Sequence, residues 1–330
     1  MTRVEAPSRL HFGLLSLPAD GAERWPGFGG ARGLPVRSFG GLGLMIDTPS
    51  VALSVRPATE WRAEGSGSAR ALQFAQKFVD GLPSAERRPF HILVERCPPE
   101  HAGLGAGTAL GLAVARALAV ELGHAEWPAV ELARRMGRGE RSAVGIHGFE
   151  HGGFIVEAGK LPGEAIAPLA CRHKFPDPWR VLVIQPGEPG GWHGERERRA
   201  FAQLRRDSDA SPTETLCRLI LLGMLPALAS SDCDSFGEAL YEFNARVGKM
   251  FAPVQGSIYG GPIVADVIAF LRGQGVHGAG QSSGGPTVFG MAPDIDRATN
   301  LARRVGERFT AARYLIAKAN GKGARTTHVS

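Results

Sequence analysis

Between Cys97 and Gly123 the chain reads CPPEHAGLGAGTALGLAVARALAVELG, with Gly103, Gly105 and Gly107 alternating with Leu104 and Ala106 before Thr108 and a long run of Ala, Leu and Val. Alternate glycines let the backbone approach a ligand without Cβ clashes. The unpaired N–H groups of the following helix, and the positive end of its dipole, then face that ligand. The guest that suits such a loop is a phosphate or diphosphate. Between Thr108 and Leu122 only Arg116 and Glu121 carry charge, so the helix is expected to be packed on most sides and to hold the loop rigidly. Small residues also permit tight helix–sheet packing with no ligand at all, and a short glycine pattern alone does not separate the two readings. The lysine of a Walker A loop is absent.

A second concentration of reactive side chains is GRGERSAVGIHGFEHGGFIVEAG, Gly137 to Gly159, with Arg138, Glu140, Arg141, Ser142, His147, Glu150 and His151. His147 and His151 have the spacing of a zinc-binding pair, but Gly145, Gly148, Gly152 and Gly153 argue against a helix there, so a zinc site is rejected. The segment GQSSGGPT offers the hydroxyls of Ser282, Ser283 and Thr287 as a second anion cradle, or forms an ordinary hairpin turn. His11 and His193 also sit beside glycine-rich segments, where a neutral imidazole can accept a proton or simply pack.

The elements that must position these groups follow from periodicity. Strands are expected at Thr2–Leu15, Leu42–Asp47, Val51–Val55, Phe90–Glu95 and Phe154–Glu157, and helices near Ala69–Val79, after Thr108 and at Pro128–Met136. Leu17 to Gly43 holds eight glycines and three prolines and reads as a long loop. Prolines at 162, 168, 176 and 178 mark a domain boundary, giving domains 1–168 and 169–330. The second half offers a strand at Trp179–Ile184, a glycine-rich loop with Trp192, His193 and Glu195, and helices at Thr213–Leu228 and Phe236–Val247. An α-β-β-α-β order over Ile263–Ile316 suits a ferredoxin-like α+β half, and the last dozen residues read as a frayed tail.

Composition narrows the class. In 330 residues, 43% are hydrophobic and 21% charged, with 38 Lys+Arg against 32 Asp+Glu, a net charge of +6. That is an ordinary soluble composition long enough for two cores, with a positive balance in the direction that suits phosphorylated substrates. The basic residues are scattered, without the polybasic blocks or interleaved aromatics of a nucleic-acid binder. Cys97, Cys171, Cys217 and Cys233 lie far apart, which suggests neither a disulfide framework nor structural zinc. With no apolar signal core at the N-terminus and no long apolar window, the expectation is a cytoplasmic protein that does not span a membrane.

Taken together, PPEHAGLGAGTALG and GVHGAGQSSGGPTVFG resemble the second and third motifs of the GHMP kinase superfamily. SRLHFGL, the Gly137–Gly159 stretch, WHGERE, and VQGSIYG followed by GQSSGGPTVFG resemble more narrowly its β-ribofuranosylaminobenzene 5′-phosphate synthase branch, in tetrahydromethanopterin biosynthesis, over about residues 3 to 310. The resemblance implies an α+β two-domain fold, with an N-terminal α/β domain of the ribosomal-protein type and a C-terminal ferredoxin-like domain. Two departures from the kinases stand out. Counting from Ser142 to the Gly152–Gly153 pair places Gly145 where mevalonate-type kinases carry a catalytic aspartate, and Ala106 and Gly107 replace the usual serine pair, with Thr108 just beyond.

The activity implied is the joining of 5-phosphoribosyl 1-diphosphate to 4-aminobenzoate or 4-hydroxybenzoate, with loss of diphosphate and carbon dioxide, by a chain that works alone or as a homodimer. An ATP-dependent small-molecule kinase is the alternative. On the transferase reading, Gly103, Leu104, Gly105, Ala106, Gly107 and Thr108 take the diphosphate, and Ser282, Ser283 and Thr287 take a phosphate. Arg9 or Arg141 takes the arene carboxylate, and His193 lies among the substrate-binding residues. His11, Arg141, His147, Glu150 and His151 are the catalytic candidates, and Mg²⁺ is the expected cofactor, with Thr108 and Glu140 as its ligands.

Overall fold

The computed structural model describes residues 1–16, 37–187, 213–283 and 285–329. His193 and the WHGERE segment lie outside the described residues, as does most of the long loop after Leu17. The first half is built on two long antiparallel strands, β1 (Thr2–Leu14) and β2 (Gly41–Pro57), whose register shifts between Pro7 and Ser8 and again between His11 and Gly13. Proline has no amide proton to give a ladder, which suits the first shift. The second shift bends the strand beside His11, and bulges of this kind re-aim side chains next to ligand sites.

Onto this pair are added β3 (Arg62–Gly65), β4 (Phe90–Arg96), β5 (Phe154–Glu157) and β6 (Leu169–His173). The helices of this half are α1 (Ser68–Asp80), α2 (Ala106–Glu121), α3 (Ala129–Arg135) and α4 (Val144–His151). They pack on one face of the sheet around Val4, Leu53, Ile92, Leu112 and Leu118. As its composition demands, α2 is buried nearly all round, with eleven of its residues buried.

The chain then forms β7 (Arg180–Gln185) and a helix α5 over Thr213–Ser230 that contains a π-turn at Ile220–Met224. Next come α6 (Cys233–Gln255), α7 (Pro262–Gly273), β8 (Ala279–Gln281), β9 (Val288–Ala292), α8 (Ile295–Arg308), β10 (Arg313–Ala317) and β11 (Arg325–His328). The second sheet has the order β10-β7-β9-β8, all antiparallel, the ferredoxin-like arrangement expected from the sequence. By length and composition α5 could cross a membrane; here Leu216, Ile220, Met224 and Leu228 of its inner face pack into the second core.

That second core joins the two halves. Leu10, Phe12, Leu44 and Phe154 from the first sheet meet Val181 and Phe289 from the second sheet and Phe236 and Phe243 from α6. Asn244 on α6, almost wholly buried, donates from Nδ2 to the Phe12 carbonyl (2.8 Å) and the Gln281 carbonyl (2.9 Å) and accepts from the Gln281 amide (2.9 Å). Three hydrogen bonds from one buried amide fix the end of β1 against β8, which is the boundary on which the cleft is built.

Three expectations are corrected. The stretch holding His147 and His151 is a helix, because Gly145 and Gly148 are used for close approach: a Cβ on Gly148 would collide with the Met45 side chain. The C-terminal residues are not frayed, since β11 pairs with the free edge of β1 and Arg325 forms an ion pair with Glu5 at 2.6 Å. A strand reading RTTH has no apolar period, so nothing in its own sequence announces it. The first sheet also takes β6 and β11 from beyond residue 168, so the expected division is crossed twice.

Candidate active site

Where β1, the N-terminus of α2 and the loop before α4 converge there is an open cleft of about 440 Å³. Its walls carry the glycine loop from Gly103 to Thr108, Arg9 and His11 from β1, Arg70 from α1, the segment from Gly137 to Ser142, and Ser283. Gly105 is the N-cap of α2 in a left-handed conformation (φ 70), which glycine adopts without the Cβ penalty. No side chain caps this helix; the Thr108 amide turns back to the Gly105 carbonyl at 3.0 Å, but the amides of Ala106 and Gly107 remain available to an anion, and the helix dipole adds to their attraction. Arg9 packs over the loop: its Cγ lies 2.6 Å from where a Cβ on Gly105 would stand, and its amide donates to the Leu104 carbonyl at 3.1 Å.

Four arginines (Arg9, Arg70, Arg138 and Arg141) line the cleft against one carboxylate among its described lining residues, Glu140. Arg70 and Arg138 both lie on the Phe74 ring, 5.5 and 4.8 Å from its centroid, so one aromatic ring holds two guanidinium groups. Arg70 Nη2 is also 2.7 Å from the position of a Cβ on Gly107, and its Nη1 is held by Glu100 at 2.8 Å. Burial, followed by repulsion from Arg70, lowers the pKa of Arg138, and its Nε has no hydrogen-bond partner among the described residues. Two crowded cations, Arg70 paired with Glu100 and Arg138 facing Glu140, make a place that favours a multiply charged anion.

On the opposite wall His11 is almost fully buried, and its pKa is pushed well below the usual histidine value, first by burial and then by Arg9, so the imidazole is neutral. Its Nε2 is 3.1 Å from Ser142 Oγ. Behind it lies Glu157, a wholly buried carboxyl on β5 whose Oε2 accepts a short hydrogen bond from the Ala143 amide and whose Oε1 has no hydrogen-bond partner among the described residues. Burial raises the pKa of Glu157, opposed by the Ser142 hydroxyl, the Ala143 amide and the charge of Arg9. Gly145 packs against two lining residues: a Cβ there would be 3.3 Å from Thr108 Cγ2 and 3.4 Å from Arg9 Cδ.

Of the residues singled out from the sequence, the structure brings Arg9, His11, the Gly103–Thr108 loop, Glu140, Arg141 and Ser283 into one cleft. Others are placed elsewhere. His147 is buried behind it and donates from Nε2 to the Ala167 carbonyl at 2.8 Å. Glu150 accepts from the Ala129 amide at 2.6 Å at the start of α3, with Arg116 3.5 Å away, and His151 is exposed at the far end of α4. The helix that the glycines seemed to forbid is what turns these three away.

Ser282 and Thr287 are also not open to a ligand. Ser282 Oγ donates to the Gly103 carbonyl at 2.6 Å and accepts from the His11 amide at 3.0 Å, and Thr287 is fully buried in the second sheet's edge. The sequence reading gave no role to Arg70, Arg138 or Glu157. Arg138 lies inside the polar stretch that drew notice, but Arg70 and Glu157 sit on a regular helix and strand, and only tertiary contacts reveal them.

Comparison with known proteins agrees with this geometry. Residues 69–154 match the GHMP kinases N terminal domain and residues 224–311 match GHMP kinases C terminal. Among solved structures, a homoserine kinase from Cytophaga hutchinsonii is 16% identical with a TM-score of 0.65, covering 99% of this chain and 97% of that one. A mevalonate diphosphate decarboxylase from Enterococcus faecalis is 15% identical with a TM-score of 0.65, covering 99% of each. These likenesses show the fold alone. Sequence carries further: a beta-ribofuranosylphenol 5′-phosphate synthase of Archaeoglobus fulgidus is 31% identical over 345 residues, 98% of each chain. A protein of the same name from Methanothermobacter thermautotrophicus is 29% identical over 347 residues, 97% of each. Identity at this level, sustained over nearly the full length of both partners, distinguishes a branch within the shared kinase fold, and the chain belongs to the beta-ribofuranosylphenol 5′-phosphate synthase family.

Proposed function

We propose that the cleft joins the ribosyl carbon of 5-phosphoribosyl 1-diphosphate to the carboxylate-bearing ring carbon of a para-substituted benzoate, releasing diphosphate and carbon dioxide. The observation that carries this reading is the arginine-lined cleft closed by an uncapped helix N-terminus, with glycine at position 145. The relatives' name describes a phenol product, which favours 4-hydroxybenzoate over 4-aminobenzoate as the acceptor.

As the bond to the leaving diphosphate breaks, positive charge develops on the ribosyl carbon and negative charge on the departing oxygen. Donors already fixed around that oxygen stabilise the transition state more than the ground state. The Gly103–Thr108 amides with Arg70 and Arg138 hold the diphosphate, and Ser283, at the cleft edge, borders the sugar phosphate. Arg9 or Arg141 holds the arene carboxylate until it departs. Electron donation from the para substituent makes the ring carbon nucleophilic, and loss of carbon dioxide restores aromaticity. No alcohol needs deprotonating in this chemistry, which agrees with the absence of a carboxylate at position 145.

Thr108 and Glu140 both line the cleft, and among the described residues no cluster of three or more His, Cys, Asp or Glu side chains could cage a metal. One carboxylate and one hydroxyl, completed by substrate phosphate oxygens, is a donor set that suits Mg²⁺, which when bound neutralises charge on the diphosphate. The substrates are small molecules, and we place the enzyme in the cytoplasm as a monomer or homodimer. Mass spectrometry of products formed from phosphoribosyl diphosphate with each benzoate tests the reading. A C-riboside 5′-phosphate lacking the carboxyl group is the expected product, and a phosphorylated alcohol formed from ATP would replace the proposal with a kinase.

A further inference from the structure

Arg70 stands where local electrostatics oppose it. It lies in the first turn of α1, which carries no acidic residue, and its guanidinium reaches the first turn of α2, so it meets the positive ends of two helix dipoles. Arg138, on the same Phe74 ring, adds a third repulsion. A cation held in a cleft against all three departs from local preference in the way functional residues do.

Two features keep it there. Arg70 Nη1 is paired with Glu100 Oε2 at 2.8 Å, just before the glycine loop begins. Position 107 is glycine, and a Cβ on it would stand 2.7 Å from Arg70 Nη2 and 3.2 Å from Cζ. Gly107 lies inside α2 and is not among the left-handed glycines, so the backbone itself does not call for glycine at this position. The register of the two helices explains it. Arg70 and Phe74 are one turn apart on α1, Gly107 and Gly111 are one turn apart on α2, and the pairs face each other, with a Cβ on Gly111 at an ordinary 3.5 Å from the Phe74 ring.

We infer that Glu100 is a positioning residue: it anchors one edge of the Arg70 guanidinium so that the other edge, admitted by Gly107, lies beside the Ala106 and Gly107 amides and completes the seat of the diphosphate. The guanidinium has donors enough for both partners, since pairing through Nη1 leaves the Nη2 protons for the anion. Gly107 on this reading serves the arginine, whereas Gly103 and Gly105 are left-handed and serve the turn itself. The inference rests on the proposed function for diphosphate as the ligand. With the Arg70 and Glu100 side chains 28% and 44% exposed, their ion pair contributes little to stability, so its loss is read in binding and not in melting.

Calorimetry of the full chain with inorganic diphosphate and Mg²⁺ tests this. Glu100→Ala should raise the dissociation constant about tenfold, and Glu100→Gln, whose carbonyl still accepts from Nη1, should return it to within about twofold of the parent. Gly107→Ala should also weaken binding about tenfold while the melting temperature holds or rises, because alanine is the better helix former and the displaced atoms end a flexible side chain. Added to Arg70→Ala, the same substitution should weaken binding no further. Gly111→Ala, one turn on, should bind as the parent does.

A Glu100→Ala variant that binds diphosphate as tightly as the parent, or more tightly, would overturn the inference by making the carboxylate a bystander or a competitor. Additive losses in the Arg70→Ala, Gly107→Ala double variant would overturn it as well, since the new Cβ would then strike the anion itself. None of these measurements needs turnover. A C-riboside product with the wrong binding pattern overturns this inference alone, and the expected binding pattern without that product replaces only the reaction.

Discussion

The loop from Gly103 to Gly107 and the loop that begins at Ser282 are both runs of glycine with small or hydroxylated residues, and read as sequence both could cradle an anion. In the structure they touch, and they do different work. The first ends in an uncapped helix N-terminus and faces the cleft with Arg9 and Arg70 beside it. The second is used up as a latch: Ser282 ties the Gly103 carbonyl to the His11 amide, Ser283 donates its amide to the His11 carbonyl at 2.8 Å, and Gly285 packs against the Gly103 amide so closely that any Cβ would clash. Composition set both as candidates, and the available hydrogen-bonding groups left over after folding chose between them.

The sharpest way to break this contrast is Gly105→Val. A branched side chain in the left-handed region is strained, and it would strike Arg9 and occupy the anion's space. We expect kcat/KM to fall about a thousandfold, the upper scale for loss of preorganised donors, with diphosphate binding lost in calorimetry and the melting curve still cooperative. Normal diphosphate affinity in this variant would assign the loop another task. Arg70→Ala and Arg138→Ala come next. Each removes a charge-assisted contact of about 1.5–3 kcal/mol, which raises the dissociation constant for phosphoribosyl diphosphate about tenfold to a hundredfold without changing the melting temperature. Unchanged affinity in both would mean the Phe74 pair lies outside the binding surface.

Ser282→Ala should act on stability first. Stripping partners from the buried Gly103 carbonyl and His11 amide costs about 2 kcal/mol, read as a lower urea midpoint at constant m. A hundredfold loss of activity at unchanged midpoint would show that Ser282 meets the substrate and that the second loop is no latch. The smallest effect belongs to His151→Ala, at an exposed helix end: stability within about 0.5 kcal/mol of the parent and kcat within about twofold.

The elements with strong periodicity were legible in the sequence. The strand, glycine loop and buried helix from Phe90 to Glu121 stand where expected, as does the helix Ile295–Arg308 and the ferredoxin-like order around it. Two kinds of information were not. β11 is polar throughout and owes its pairing to the open edge of β1, and α4 keeps its helix despite two internal glycines because Met45 and Thr108 crowd that side. The same packing decided the site: His147, Glu150 and His151, clustered in sequence with Glu140, were turned away by a helix while Glu140 stayed in the cleft, whereas Arg70, inconspicuous on its own element, was brought to the cleft, and Glu157 was buried against the Ala143 amide beside it.

The central claim is that bond formation to the sugar and loss of the carboxyl group are one process in this cleft. Incubation of the enzyme and Mg²⁺ with 4-hydroxybenzoate labelled in its carboxyl carbon, with and without phosphoribosyl diphosphate, measures that directly. The account predicts labelled carbon dioxide only when the sugar diphosphate is present, in amounts equal to the diphosphate released. Release of label without the sugar, or diphosphate formed with the label retained in the product, would contradict it.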